Sequence, residues 1–238
     1  MANHGRTRHS KRLALSPLVP IPRKGTKYVN NPSGGRHKKV SSMTILLLLR
    51  DVLKIAKDAR EASMLLSSSK VLVDGRPVKD PALLVGLMDI ISIPSLKVAY
   101  RLIIMNGHFV PVSISIDTSS KLCKIIGKKI IKSGKIQLAL HDGRSYIIEK
   151  EEDRFSVGDT IKIKFPTQTL EGFMKLEKGA KCYVFSGKHA GKIGVLDSIL
   201  ERAGSAPADV LLKVDNQKII TRKDYVLAVE ESFNLPKK

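Results

Sequence analysis

The stretch Lys70-Val71-Leu72-Val73-Asp74-Gly75-Arg76, with Met88-Asp89-Ile90-Ile91-Ser92-Ile93 twelve residues further on, decides the architecture. Val71-Leu72-Val73 reads as a strand and Asp74-Gly75 as a tight hairpin turn. Pro77 and Pro81 punctuate the return, and Ile90 to Ile93 reads as the closing strand. Upstream, Ile45, Leu46, Leu49, Leu53 and Ala56 recur at helical spacing. Arg50, Lys54 and Lys57 fall at i, i+4 and i+7, which places three cations on one face of that helix. A second helix is predicted to open at Asp58, with Glu61 three residues on as in a capping box. Ala62, Leu65 and Leu66 would turn to the core.

Downstream of about residue 98 the apolar period changes to two. Tyr100 to Met105 and His108 to Ile116 flank Asn106-Gly107, a strong hairpin signal. Pro111 places the second of these strands at an edge or a bulge. Further strands are expected at 122–131, 136–140, 145–148 and 160–165, separated by Ser133-Gly134, Asp142-Gly143 and Gly158-Asp159. The same texture continues in Lys181 to Phe185, Ile193 to Leu196, Val210 to Val214, Ile219 to Thr221 and Val226 to Val229. Short strands at this spacing predict small barrels or sandwiches.

Upstream of the first helix the character is different. Residues 1–40 carry ten cations: Arg6, Arg8, Lys11, Arg12, Arg23, Lys24, Lys27, Arg36, Lys38 and Lys39. They carry no Asp or Glu, so half of the formal net charge of +20 lies here. Pro17, Pro20, Pro22 and Pro32 break any long helix, and apolar residues are sparse. Such a segment buries too little surface to offset its ordering entropy, so it is expected to be an extended arm that takes shape against phosphate. A functionless basic tail is the blander alternative.

A whole-chain excess of 42 Lys+Arg over 22 Asp+Glu calls for a polyanionic partner. The longest apolar run, Ile45 to Leu49, is far below the ~20 residues a membrane span needs. No charged segment leading into an apolar one opens the chain, so a secretory leader is not expected. Cys123 and Cys182 are far apart in sequence and suit buried thiols in a reducing compartment. They cannot make a paired zinc motif.

Two further motifs bear on partners. The run Lys178 to Val195 carries strand, glycine-rich basic loop and strand, with Gly187, Gly191 and Gly194 permitting positive φ and close backbone approach. Lys188, His189 and Lys192 put cations on that loop. Its spacing matches neither nucleotide-binding glycine pattern, and a plain tight hairpin is the alternative. Lys121, Lys124, Lys128, Lys129, Lys132 and Lys135 form a second series, read as a diffuse phosphate-facing patch or as protection of a sheet edge. Aromatic residues make up 5% of the chain and Trp is absent, which favours phosphate and shape contacts over stacked bases. No catalytic constellation is present. His141-Asp142-Gly143 reads as turn chemistry, and Glu149, Glu151, Glu152 and Asp153 as a solvated acidic loop.

The two helices, the Lys70 to Arg76 hairpin and the Met88-Asp89-Ile90-Ile91 strand resemble the αL-type RNA-binding module of bacterial small-subunit protein four, pseudouridine synthases and tyrosyl-tRNA synthetases. The 178–195 loop resembles the KOW motif of ribosomal proteins and transcription elongation factors. Taken in order with His9-Ser10-Lys11-Arg12-Leu13, Pro32 to Lys38, Lys121 to Lys124, His141 to Arg144 and Val157 to Ile161, the pieces resemble the archaeal and eukaryotic small-subunit ribosomal protein four family, S-four-e, over essentially the whole chain. The chain departs from the family pattern at Ser186-Gly187-Lys188-His189, where a Gly-Gly pair and an Asn-bearing turn are common.

The resemblance implies an α+β multidomain fold: a basic extended arm at 1–40, an αL-type module at 41–97, a central small β domain at 98–172 and an SH3-like KOW β-barrel at 173–238. It implies a cytoplasmic, ribosome-associated, non-enzymatic constituent of the small subunit. Such a protein is a monomer within the ribosome that contacts ribosomal RNA and neighbouring ribosomal proteins, with no cofactor, metal, membrane or small-molecule substrate. The RNA-binding residues expected are the ten arm cations, Arg50, Lys54, Lys57, Lys70, Arg76, Lys188, His189 and Lys192. A transiently bound KOW-bearing assembly or transcription factor is the alternative. An RNA-modifying enzyme is a weaker one, because no catalytic domain follows the module.

Overall fold

The computed structural model describes residues 9–115, 119–132, 134–202, 207–214 and 217–236. Arg6, Arg8, Ile116 and Ser133 lie outside them. Among the described residues the chain is mostly β, with three five-stranded antiparallel sheets and two short two-stranded ribbons. Helix is much scarcer than the α+β expectation.

The deciding stretch forms the first sheet. Leu72–Val73 pairs with Arg76–Pro77 across the Asp74-Gly75 turn, and with Ile90–Ile93 on its other side. Both turn residues have positive φ, 50° and 72°, the mirror-image geometry that suits the right-handed twist of a hairpin. Asn106-Gly107 repeats it at 50° and 76°. The sheet continues without a break through Val98–Met105 to His108–Ile114, which is an edge strand and so tolerates Pro111. The expected border at residue 97 therefore falls inside one sheet.

The first helix is shorter than its periodicity suggests. Ile45–Leu47 makes one α turn and Leu48–Val52 continues as a π segment. Ile45 to Leu49 are all buried, so this stretch packs on every side instead of presenting one apolar stripe. Lys54 then takes φ 54° and ends the helix. Arg50, Lys54 and Lys57 consequently do not share a helix face. Ala59–Ser67 is a regular helix with Ala62 and Leu66 buried. The capping box is displaced by one residue: Glu61 Oε2 accepts from the Lys57 N–H at 2.8 Å, and the Asp58 side chain caps nothing.

The second sheet runs in the order Ser145–Ile148, Ile136–Leu140, Ser120–Ile130, Thr160–Lys164, Thr169–Met174. Its last strand had no counterpart in the sequence reading and crosses the expected border at 172. The third runs Gln217–Arg222, Asp209–Val214, Ile193–Leu200, Lys181–Val184, Val226–Ala228, close to the expected segments. Each of these two sheets has its own apolar cluster. The main core joins everything else, from Val19 in the leading segment through Ile45–Leu49 and the first sheet to Tyr183, Leu227 and Phe233.

Residues 9–40 are not a free arm. Ser10–Lys11 pairs with Tyr28–Val29 as a small hairpin. The segment then docks on the body: Phe109 N–H donates to Leu18 O at 2.8 Å, Ser33 N–H to Ala82 O at 3.0 Å, and Asn30 Nδ2 to Pro81 O at 2.9 Å. Val19 and His37 are buried. The extended-arm expectation fails for these residues because a few apolar and polar anchors, spaced along the segment, each find a partner on the first sheet or the loop beside it.

Candidate nucleic-acid interface

An interface for a polyanion needs cations free to face outward, with the carboxylates held elsewhere. Three of them are withdrawn into one buried cluster. Lys121, with no solvent exposure, points its ammonium at Asp89 Oδ1 (2.5 Å), Asp142 Oδ2 (3.0 Å) and Asp74 Oδ2 (3.3 Å). Asp74 Oδ2 also accepts from Arg36 at 3.0 Å and Arg144 at 2.7 Å, while Oδ1 takes the Ile90 N–H at 3.1 Å. Asp89 Oδ2 takes the Gly86 N–H and faces His37 Nε2, each at 2.8 Å. The Arg144 guanidinium also lies 4.0 Å from the Phe165 ring centroid.

Burial disfavours charge at each member, but the pairing wins at two of them. Lys121 and His37 hold the Asp89 carboxyl well below the usual carboxylate range, and the carboxylates hold Lys121 well above the usual lysine value. Burial pushes the Asp74 carboxyl up. Yet a protonated Asp74 would leave Lys121, Arg36 and Arg144 facing only two carboxylates. The balanced, ionised arrangement is the one the geometry supports. Beside it half-buried His141 sits between Leu87 O (3.2 Å) and the Lys124 N–H (3.1 Å), and desolvation of its ring, with Lys121 nearby, pulls its pKa to about 4.

This cluster corrects two sequence readings. His141-Asp142-Gly143 is more than turn chemistry: Asp142 is fully buried, and a Cβ on Gly143 would stand 2.2 Å from Arg36 O. The central lysine series is not a phosphate-facing patch. Lys121 is buried; Lys124 donates to the Lys223, Asp224 and Val226 carbonyls at 2.6, 3.0 and 2.7 Å. Burial lowers the Lys124 pKa to about 8. Lys128 is held by Asp153 at 2.5 Å and Lys135 by Glu149 at 3.0 Å, so the acidic loop neutralises its neighbours. Lys129 and Lys132 stay exposed. The signal that was available is Lys121 in a strand whose next four residues are also buried, a place where a lysine needs carboxylate partners.

The leading segment divides into two kinds of cation. Arg12 staples its own hairpin, donating to Pro22 O, Thr26 O and Thr26 Oγ1 at 2.8–3.0 Å. Arg23 donates to the Leu13 and Leu15 carbonyls. Arg36 is spent on Asp74. Lys11, Lys24, Lys27, Lys38 and Lys39 are exposed, and none of them has a carboxylate partner among the described residues. Lys39 Nζ reaches Ser10 Oγ at 3.1 Å, which ties it to the Lys11 end of the hairpin.

The remaining expected residues are scattered over the module and the C-terminal sheet. Arg50 is half-buried and bound to Asp51 at 2.7 Å. Lys54, Lys57, Lys70 and Arg76 are exposed, Arg76 on an edge strand. Lys188 and Lys192 are exposed on the glycine loop and His189 is half-buried. Gly187 and Gly191 have positive φ, 84° and 92°, whereas Gly194 supplies close approach, lying where a Cβ would stand 2.5 Å from Val214 Cγ2. A Cβ on Gly191 would stand 2.8 Å from Met105 Cα, so this loop packs on the 105–108 turn. The leading segment packs there too, His108 Nδ1 lying 2.8 Å from Pro17 O. The structure thus brings the glycine loop and the leading segment onto one hairpin.

Both thiols are free and buried, and burial pushes Cys182 up to about 12. Among the described residues no group of His, Cys, Asp and Glu is arranged to hold a metal, and no helix is long and apolar enough to cross a membrane.

Residues 97–170 match a family model described as ribosomal family S4e, and residues 49–91 match an S4 domain model. A small ribosomal subunit protein eS4 of Methanocaldococcus jannaschii is 40% identical over 236 residues, covering 96% of each chain. The eS4 protein of Methanococcus aeolicus is 37% identical over 236 residues, again 96% of each. The crystal structure of 30S ribosomal protein S4e from Thermoplasma acidophilum superposes with a TM-score of 0.69 at 30% identity, covering 81% of this chain and 96% of that one.

Proposed function

This chain belongs to the ribosomal S4e family, and from that premise we propose that it is a non-catalytic constituent of the small ribosomal subunit, binding ribosomal RNA through phosphate and shape contacts. The observation that carries the proposal is the sorting of charge. Asp74, Asp89 and Asp142 are neutralised inside the protein, while Lys11, Lys24, Lys27, Lys38 and Lys39 face outward with no carboxylate to hold them among the described residues. Each outward lysine is free to replace a counterion at a phosphate, and release of that counterion favours binding.

Lys54, Lys57, Lys70 and Arg76 extend the contact along the S4 domain, and Lys188, His189 and Lys192 along the glycine loop. Arg6 and Arg8 belong to the same acid-free segment. Arg12, Arg23, Arg36 and Arg50 have a different role: they hold the shape that presents the lysines. The strand order of the third sheet supports reading residues 173–238 as an SH3-like KOW barrel. Neighbouring ribosomal proteins share the site, the chain acts as a monomer within the cytoplasmic ribosome, and it takes no cofactor.

Sedimentation of small subunits through a high-salt cushion tests the proposal. The chain should stay with the subunit at one copy each. Recovery mainly in the ribosome-free fraction, far below subunit stoichiometry, would favour a transient factor instead.

A further inference from the structure

The chain has eleven aromatic residues of the Phe and Tyr type, and ten are buried or half-buried. The exception is Tyr28, with 47% of its surface open to solvent. It lies on the small hairpin of the leading segment, directly opposite Lys11 in register, so ring and ammonium stem leave the same face. The Lys27 ammonium is 5.5 Å from the ring centroid, and the His9 ring packs against it at 5.1 Å with a 42° tilt. The Tyr28 hydroxyl has no partner among the described residues, and the ring belongs to none of the apolar clusters. No apolar core therefore accounts for its position.

The hairpin that carries it is held rigid. Arg12 closes the loop with three side-chain bonds, Arg12 N–H donates to Lys27 O at 3.0 Å, and Ser10 Oγ donates to Asn31 Oδ1 at 2.8 Å. An aromatic face fixed in advance loses little entropy when a flat ligand covers it. Cations on both sides, in a segment without a single acid, select a ligand that is flat and attached to negative charge. A nucleobase on its sugar–phosphate backbone has both properties.

We propose that Tyr28 is a stacking platform for one unpaired ribosomal RNA base, with Lys11 and Lys27 on the flanking phosphates. The site rests on the ribosomal RNA reading above and refines it: one point of base contact inside a field of phosphate contacts. Stacking and counterion release respond differently to salt, which makes the two separable.

Because the chain has no Trp, Tyr28→Trp installs a single indole at the site. Titrating that variant with transcribed small-subunit ribosomal RNA should quench and shift the indole emission. Tyr28→Leu, which keeps apolar bulk without a π face, should weaken binding of the same RNA about tenfold or more while leaving the slope against log[salt] unchanged. Thermal midpoints equal to that of the wild-type chain establish that both variants fold. Unchanged affinity for Tyr28→Leu, or an unmoved indole signal on a chain that binds the RNA, would overturn the platform and leave the ribosomal RNA reading standing. An indole signal that moves only when subunit proteins are added would assign the ring to a protein partner and overturn it as well. A wild-type chain that bound no ribosomal RNA would overturn both.

Discussion

Lys121 Nζ lies 2.5 Å from Asp89 Oδ1, and neither side chain touches solvent. Around this contact meet three parts of the chain that the sequence reading kept separate: His37 and Arg36 from the leading segment, Asp74 and Asp89 from the S4 domain, and Lys121, Asp142 and Arg144 from the second sheet. The surface proposed to meet ribosomal RNA is thus mounted on an internal ionic joint. Removing one partner of such a joint leaves the others buried and uncompensated. Lys121→Met keeps most of the side-chain volume yet should destabilise the protein by about 3–5 kcal/mol. Urea unfolding at neutral pH measures it; a loss under about 1 kcal/mol would mean that water reaches the cluster in solution.

The joint should also make stability depend on acid. His141 is held neutral, its pKa lowered from 6.5 to about 4. The unfolded chain therefore takes up a proton below pH 6.5 that the folded chain refuses until about pH 4. Stability falls as pH drops through that window, by an amount on the order of 3 kcal/mol. Asp89 acts lower down: its folded pKa is depressed, so its contribution is present above the unfolded value of 3.8 and is lost as pH falls below it. Denaturant unfolding between pH 7 and 4 should show the slope, and His141→Gln should flatten it. An identical slope in the variant would remove His141 as its source.

Much of the architecture was legible because it is written locally. Asp74-Gly75 and Asn106-Gly107 announce mirror-image turns, and alternation around them fixes the strands. The features that escaped are joined by polar contacts across long sequence distances. His37 meets Asp89 across 52 residues, and Lys124 meets Lys223, Asp224 and Val226 across about a hundred. No periodicity encodes such pairs. The leading segment looked unstructured for the same reason: its order comes from partners elsewhere, Leu18 with Phe109 and Asn30 with Pro81. Of the expected interface, the lysines rest on charge alone. Composition could not separate them from Arg12, Arg23, Arg36 and Arg50, which serve the protein's own backbone and carboxylates.

That division predicts how RNA affinity responds to salt. Lys24 is exposed and free of carboxylates among the described residues, whereas Lys128 is held by Asp153 and Phe155 O. Lys24→Ala should weaken ribosomal RNA binding and make the slope of log K against log[salt] shallower by about 0.7 to 0.9, the share of one phosphate contact. Lys128→Ala should leave the slope unchanged. Equal slopes in both variants would contradict the sorting of free from engaged cations.

The glycine loop offers a test of how the third sheet is held to the first. Gly191 has φ 92°, a conformation that L side chains rarely adopt, and a Cβ there would stand 2.8 Å from Met105 Cα and 3.0 Å from Asn106 N. Both neighbours are backbone of a hairpin turn and cannot rotate away. Gly191→Ala therefore combines backbone strain with a collision that only separation of loop and hairpin relieves. Gly134 serves as the control: its φ is 78°, but nothing lies within 4 Å of the added Cβ. Gly134→Ala should cost about 1 kcal/mol, from strain alone. Gly191→Ala should cost clearly more and should also raise hydrogen exchange in the amides that join the two surfaces. The amide of Ile104, bonded to Tyr183 Oη at 2.8 Å, crosses from the first sheet to the third and reports the separation directly. Equal costs at the two glycines, with protection of Ile104 retained, would show that the loop does not press on the hairpin in solution.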